Sequence, residues 1–97
     1  MAIKIRTNYF PPLDKPKVYL VYIIYDKYVS WEFCMRILTG VFHRNFEDAS
    51  AITNEILTNG EGLCGAYTFD IAETKAEIVE ERAKKENFSM RCLVEEV

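Results

Sequence analysis

The chain has few residues of the kinds that build metal centres or disulfide frameworks. Among its 97 residues it has one histidine, His43, and three cysteines, Cys34, Cys64 and Cys92, with no C-x-x-C spacing. One histidine cannot form a multi-histidine metal site, and an odd, scattered set of cysteines argues against disulfides or zinc. Since all three cysteines have apolar neighbours, we interpret them as small buried side chains in a reducing cytoplasm, and we expect no metal.

Several other classes of protein are disfavoured by what the sequence lacks. No apolar run approaches the roughly 20 residues of a membrane span, and residues 1–6 lack the apolar segment of a signal peptide. A net charge of −3, from 12 basic and 15 acidic residues, does not favour binding to nucleic acid or to an anionic membrane. Glycine-rich phosphate loops and the usual hydrolase motifs are absent too. We therefore expect no enzyme and no cofactor, which leaves a binding module.

The length and the local composition predict one domain preceded by a tail. Residues 1–16 contain three prolines and no helical or strand period, so they are predicted to be a flexible N-terminal tail. Residues 17–97 are predicted to be the core domain.

The hydrophobic pattern of the core predicts the element order β-α-α-β-α-β. Residues 18–24 are β-branched and aromatic and predict a strand buried on both faces, and residues 61–67 and 89–94 predict the other two strands. The predicted helix caps are Ser30, Asn45 and Thr68 at the amino ends and Gly60 after the second helix. The predicted inward face of the third helix consists of Ile71, Ala72, Ile78, Val79 and Ala83. We expect an α+β fold, a three-stranded antiparallel sheet with three helices packed on one face.

Three blocks of the sequence resemble the ClpS family of Clp protease adaptors. Residues 60–75 read Gly-Glu-Gly-Leu-Cys-Gly-Ala-Tyr-Thr-Phe-Asp-Ile-Ala-Glu-Thr-Lys and contain the family's Gly, Cys-Gly, aromatic-Thr and Ala-Glu-Thr-Lys at the same spacing. Residues 28–33 match the family's block at the start of the first helix, and residues 90–92 match its hydrophobic-Arg-Cys in the last strand. The resemblance runs from Lys17 to about Glu95 and implies the same element order.

This resemblance implies a non-enzymatic adaptor. Members of the family bind the N-terminal domain of a Clp AAA+ unfoldase, of ClpA or ClpC type, and deliver N-degron substrates that begin with Leu, Phe, Tyr or Trp. Polar side chains hold the free α-amine, an apolar pocket takes the first side chain, and the unfoldase engages the N-terminal tail. The alternative is a ClpS-fold regulatory or structural protein that has lost N-degron recognition and binds another partner.

The substrate pocket implied by the resemblance has diverged. The family's Asn-Asp-Asp corresponds to Tyr25-Asp26-Lys27, so only Asp26 remains as a carboxylate that can hold the amine. The family's second-helix His corresponds to Leu57, and its gate Met corresponds to Trp31. The remaining apolar pocket positions correspond to Cys34, Thr53 and Ile56.

These changes predict weak substrate binding. Two amine ligands are lost, and a hydrogen bond to a charged group contributes roughly 1.5–3 kcal/mol. Because Trp is larger and stiffer than Met, we expect peptides that begin with Phe, Tyr or Trp to bind weakly or not at all, and Leu to be the best remaining first residue. The docking surface for the unfoldase is predicted at Asp70, Glu73 and Lys75. Without the resemblance, these residues would be interpreted as a solvated helix start.

Overall fold

The computed structural model describes residues 17–25 and 28–97. The predicted tail, residues 1–16, lies outside the described residues. The elements are β1 (Tyr19–Tyr25), α1 (Trp31–Gly40), α2 (Phe46–Asn59), β2 (Glu61–Tyr67), α3 (Phe69–Lys85) and β3 (Met90–Glu96). This order confirms the predicted α+β fold, and each strand lies within one or two residues of its predicted bounds.

Strand β1 lies at the centre of the sheet. The three strands of the described residues are arranged in the order β2-β1-β3, and β1 is antiparallel to both neighbours. Tyr22 of β1 lies opposite Leu63 of β2 and Leu93 of β3. A bulge between Val21 and Tyr22 interrupts the pairing of β1 with β2.

Within residues 17–25 and 28–97, the helices cover one face of the sheet and leave the other uncovered. Val21 and Ile23 are fully buried on the inner face, whereas Leu20, Tyr22 and Ile24 are only half-buried on the opposite face. The prediction that this strand is buried on both faces is therefore wrong, because an apolar run does not show whether anything packs on its second side. We call the uncovered surface the outer face. Its apolar residues include Val18, Leu20, Tyr22, Ile24, Leu63 and Leu93.

The helix ends follow the predicted caps, with one difference. The side chains of Ser30 and Asn45 each accept a hydrogen bond from the amide three residues along the chain, at 3.0 Å and 2.8 Å. Gly60 ends α2 in the left-handed conformation, with φ of 85°. Thr68 occupies the N-cap position of α3, but its side chain makes no capping hydrogen bond.

A charged side chain forms a hydrogen bond with the backbone of each edge strand of the sheet. The Arg44 Nε donates to the backbone carbonyl of Cys64 on β2 at 2.9 Å. On β3, the backbone amide of Cys92 donates to the Glu80 carboxylate, also at 2.9 Å. Edge strands with free backbone groups can pair with other chains, and charged side chains at an edge oppose this.

Burial keeps the cysteines in the thiol form. It raises the pKa of Cys34 to about 11 and that of Cys92 to about 12, and it also raises the pKa of Cys64. Because the thiolate is the reactive form, we expect DTNB at neutral pH to modify the folded chain about 100-fold more slowly than the chain unfolded in guanidinium. Absorbance of the released thionitrobenzoate measures both rates, and comparable rates would contradict this prediction.

Candidate functional site

The resemblance implies that amine ligands have been lost at Tyr25 and Leu57. These two residues contact each other in the structure. Tyr25 is the last residue of β1, and Leu57 lies in the final turn of α2. The Tyr25 hydroxyl donates a hydrogen bond of 3.0 Å to the Leu57 carbonyl. The Tyr25 amide donates to the Gly60 carbonyl at 3.1 Å, so this residue holds the end of α2 through both its side chain and its backbone. The phenolic oxygen keeps its lone pairs and can still accept a hydrogen bond from an ammonium group.

The electrostatics at this end of α2 favour a cation. The last carbonyl groups of a helix carry partial negative charge, which attracts positively charged groups. Asp26, the predicted partner of the substrate amine, follows Tyr25 directly in the sequence but lies outside the described residues. The described part of the site therefore offers a hydroxyl oxygen and helix carbonyls, and the contribution of Asp26 stays a prediction.

The apolar part of the predicted pocket is closed in this structure. Cys34, Thr53 and Ile56 have no exposed surface, whereas Trp31, the first residue of α1, is exposed. The Thr53 hydroxyl points to the sulfur of Met35 at 3.5 Å, across the contact between α2 and α1. A ligand side chain could reach these residues only if their neighbours moved. Met35, which is unbranched and flexible, contacts Thr53, and the sequence analysis missed it because it reads as ordinary core.

The predicted docking residues lie at the start of α3 but differ in their surroundings. Asp70 and Glu73 are exposed. Lys75 is half-buried, and its ammonium group donates to the Val41 carbonyl at 2.6 Å and lies 5.2 Å from the centre of the Tyr67 ring. Lys75 therefore ties α3 to the end of α1, in addition to any role it has in docking.

Two exposed apolar side chains flank Asp70, and the sequence analysis did not identify them as surface residues. Phe69 packs edge-on against Tyr19, with ring centres 5.1 Å apart, but half of its surface stays exposed. Ile71, which was predicted to face inward, is 48% exposed, so that prediction is wrong. Its position beside Ala72, which is fully buried, puts it about 100° around the helix from the inward stripe. An exposed apolar patch rimmed by polar residues is one mark of a protein interface.

The described residues provide neither a metal site nor a membrane-spanning helix. Among residues 17–25 and 28–97, no group of three or more His, Cys, Asp or Glu side chains could hold a metal ion. No helix in the same part of the chain has the length and apolar character needed to cross a membrane. A groove between α3 and β3 is lined by Glu77, Glu80, Glu81, Lys84, Met90 and Arg91, none of which is a candidate site residue.

Comparison with known proteins identifies the family. The family described as "ATP-dependent Clp protease adaptor protein ClpS" matches residues 14–93. The chain belongs to the ClpS family. This confirms the resemblance drawn from the three sequence blocks.

Relatives and a solved structure agree with the ClpS assignment. A Clp protease adapter protein ClpS of Helicobacter hepaticus is 41% identical over 85 residues, 88% of this chain and 86% of the relative. The ClpS of Campylobacter jejuni subsp. doylei is 39% identical over 97% of this chain and 98% of its own length. The structure of Agrobacterium tumefaciens ClpS2 bound to L-phenylalaninamide superposes with a TM-score of 0.79 at 26% identity, covering 86% of this chain and all of that one.

Proposed function

We propose that the chain is an adaptor that binds the N-terminal domain of a Clp AAA+ unfoldase, of ClpA or ClpC type, and delivers N-degron substrates for proteolysis. Membership of the ClpS family, over residues 14–93, carries this proposal. Adaptor action needs binding and no covalent chemistry, which agrees with a sequence that lacks catalytic motifs. Three free cysteines agree with a cytoplasmic location. No observation favours the alternative of a ClpS-fold protein with another partner.

The start of α3 is the surface that we assign to the unfoldase. Phe69 and Ile71 provide exposed apolar area, and Asp70 and Glu73 provide exposed negative charge beside it. Apolar area of this kind can be buried by a partner, while the charges set its orientation and its rate of association. Lys75 is a weaker candidate for direct contact, because its ammonium group already donates to the Val41 carbonyl.

The end of α2 is the site that we assign to the substrate amine. The Agrobacterium tumefaciens ClpS2 structure holds L-phenylalaninamide, a small molecule with a free amine and an apolar side chain. In this chain the Tyr25 hydroxyl and the carbonyl groups at the end of α2 can accept hydrogen bonds from such an amine, with Asp26 as its proposed counter-ion. The pocket positions Cys34, Thr53 and Ile56 are closed, which supports weak binding of large first residues and leaves Leu as the proposed best ligand.

Charge reversal on the docking surface tests the assignment of the unfoldase partner. We expect the double variant Asp70→Lys/Glu73→Lys to bind the isolated N-terminal domain of the cognate unfoldase roughly 5- to 20-fold more weakly, since each exposed ion pair contributes up to about 1 kcal/mol. The difference should shrink at high salt, which screens exposed charges. Isothermal titration calorimetry measures both effects.

A matched variant controls for the change in net charge. Glu47→Lys/Glu55→Lys alters the charge by the same amount, and both residues are exposed on α2. This variant should bind the N-terminal domain like the unmodified chain, and equal weakening by the two variants would refute the docking surface. If the unmodified chain gives no heat and does not co-elute with the domain, the proposed function itself is wrong. Charge reversal at Lys75 is a poorer test, because it also removes the bond to Val41.

A further inference from the structure

The outer face is an apolar surface that no helix of the described residues covers. Leu63 and Leu93 are 40% and 45% exposed on either side of Tyr22, so a row of three large side chains crosses the middle of the sheet. Leu20 and Ile24 extend this patch along β1 to either side of the row, and both are only half-buried. A contiguous apolar patch with a polar rim is a mark of a protein–protein contact.

The rim of this patch carries charges at fixed positions about the row. Arg91 and Glu95 lie on β3, two residues before and two residues after Leu93, so they share its face of the sheet. Glu61 lies on β2 at the same end of the sheet as Arg91, since both are opposite Ile24. The three charged residues are exposed, and the ion pairs of the described residues do not include them. Their charges are therefore available to a partner.

A second copy of the chain presents the charges that complement this pattern. When two outer faces meet about a two-fold axis that runs along the central row, each strand lies antiparallel over the same strand of the other copy. Leu93 then lies over Leu93, and Arg91 of one copy faces Glu95 of the other, twice by symmetry. A crossing angle of about 30° between packed sheets displaces these positions by only about 4 Å, which a long Arg side chain can span. The outer face is therefore self-complementary in charge.

The size of the patch sets the expected strength of such a dimer. Each of the three strands has seven residues, so the sheet measures about 14 Å by 23 Å, a flat area of roughly 300 Å². Stable complexes bury about 800 Å² per partner, and weak ones bury less. The rough surface of the side chains adds to the flat area without reaching that figure. We therefore expect a dissociation constant on the order of 100 μM.

We propose that the outer face is the interface of a weak homodimer. The rows formed by Leu63, Tyr22 and Leu93 of the two copies pack together, and Arg91 of each copy pairs with Glu95 of the other. Both apolar rows are thereby removed from water.

The dimer goes beyond the proposed function and is compatible with it. Phe69 at the start of α3 packs against Tyr19, whose side chain contacts the core from the inner face of the sheet. The surface assigned to the unfoldase therefore lies away from the outer face and stays exposed in both copies.

Analytical ultracentrifugation of the full-length chain tests the dimer. Between about 10 μM and about 1 mM, the average mass should rise from that of one chain towards that of two. Glu95→Arg should weaken the association roughly 10-fold or more, because it replaces two attractions by two repulsions. Glu55→Arg changes the net charge equally on the exposed surface of α2 and should associate like the unmodified chain.

A mixture of two variants tests the pairing of Arg91 with Glu95. Arg91→Glu alone should also weaken the association, and circular dichroism checks that it is folded, since Arg91 also borders the acidic groove beside α3. Mixed in equal amounts, Arg91→Glu and Glu95→Arg should associate about as well as the unmodified chain, because each variant supplies the charges that the other lacks.

Three outcomes would overturn the proposal. The first is an unmodified chain that stays monomeric up to about 1 mM, which would show that the outer face has another occupant or none. The second is equal association of Glu95→Arg and the unmodified chain. The third is a mixture of the two variants that associates no better than either variant alone.

Discussion

Replacing Tyr25 by Asn and Leu57 by His in one chain should strengthen the binding of a peptide that begins with Phe by about 3 kcal/mol or more, roughly 10²-fold. The two changes place two polar side chains where Tyr25 and Leu57 meet, at the end of α2. If the Tyr25 hydroxyl does not already accept from it, a charged amine bound there would gain two hydrogen bonds and would lose contact with an apolar wall that raises its desolvation cost. Fluorescence anisotropy with labelled peptides that differ only in their first residue measures the affinity.

The structure indicates that the paired variant is less stable than the unmodified chain, and it suggests two controls. Tyr25 and Leu57 both pack against the core, and Tyr25→Asn removes the bond to the Leu57 carbonyl, so the paired variant should melt at a lower temperature than the unmodified chain. An acetylated Phe-start peptide keeps the apolar side chain but has no charged amine, and the paired variant should not bind it more tightly. Tyr25→Phe keeps the ring and removes only the hydroxyl.

Tight binding of Phe-start peptides by the unmodified chain would contradict the prediction that its pocket binds them weakly. If it binds Phe-start peptides tightly, then the loss of two amine ligands has been compensated. Tyr25→Phe then shows whether the phenolic oxygen supplies the missing contact, because it should weaken binding if the oxygen does and leave it unchanged if another group does.

Gly62→Ala should lower the free energy of unfolding by about 1–3 kcal/mol, the usual cost of inserting an atom into a packed core. Gly62 is buried on β2 beneath α2. A Cβ atom at this position would lie 2.7 Å from the Ile56 Cγ1 and 3.3 Å from the Ile52 carbonyl oxygen, so α2 would have to move away from the sheet. Urea denaturation followed by circular dichroism measures the change.

Gly40→Ala is the matched control for this substitution. Gly40 is the last residue of α1, and a Cβ atom there would have its nearest neighbour, the Arg82 guanidinium, at 4.0 Å. Helix propensity favours Ala over Gly by up to about 1 kcal/mol, so this variant should be as stable as the unmodified chain or slightly more stable. Equal loss of stability in both variants would show that the contact with Ile56 and Ile52 is not the cause.

The fold was predictable because its local signals agree with one another. Ser30 and Asn45 cap the helices that they were predicted to cap, and Gly60 ends α2 with a positive φ that glycine adopts easily. The predicted strand over residues 61–67 contains Gly62, whose missing side chain allows the close approach of α2. Exposure was harder to predict, since Ile71 is as apolar as the buried residues next to it.

The site was less predictable than the fold because it depends on contacts between distant residues. Tyr25 and Leu57 are 32 positions apart, and no local pattern shows that the hydroxyl of one reaches the carbonyl of the other. Aligned positions gave the identities of Cys34, Thr53 and Ile56 but not their burial, which depends on the packing of α1 against α2. The same holds for Lys75, whose bond to Val41 joins two helices.

The central position of β1 has a consequence for biosynthesis. One partner of β1 is β3, which follows it only after α1, α2, β2 and α3 have been made. A nascent chain on the ribosome therefore carries its most apolar strand with one side unpaired until β3 has emerged, and pairing between such distant segments is slow. The newly made protein should thus depend on the holding activity of chaperones more than a helical bundle of equal length would.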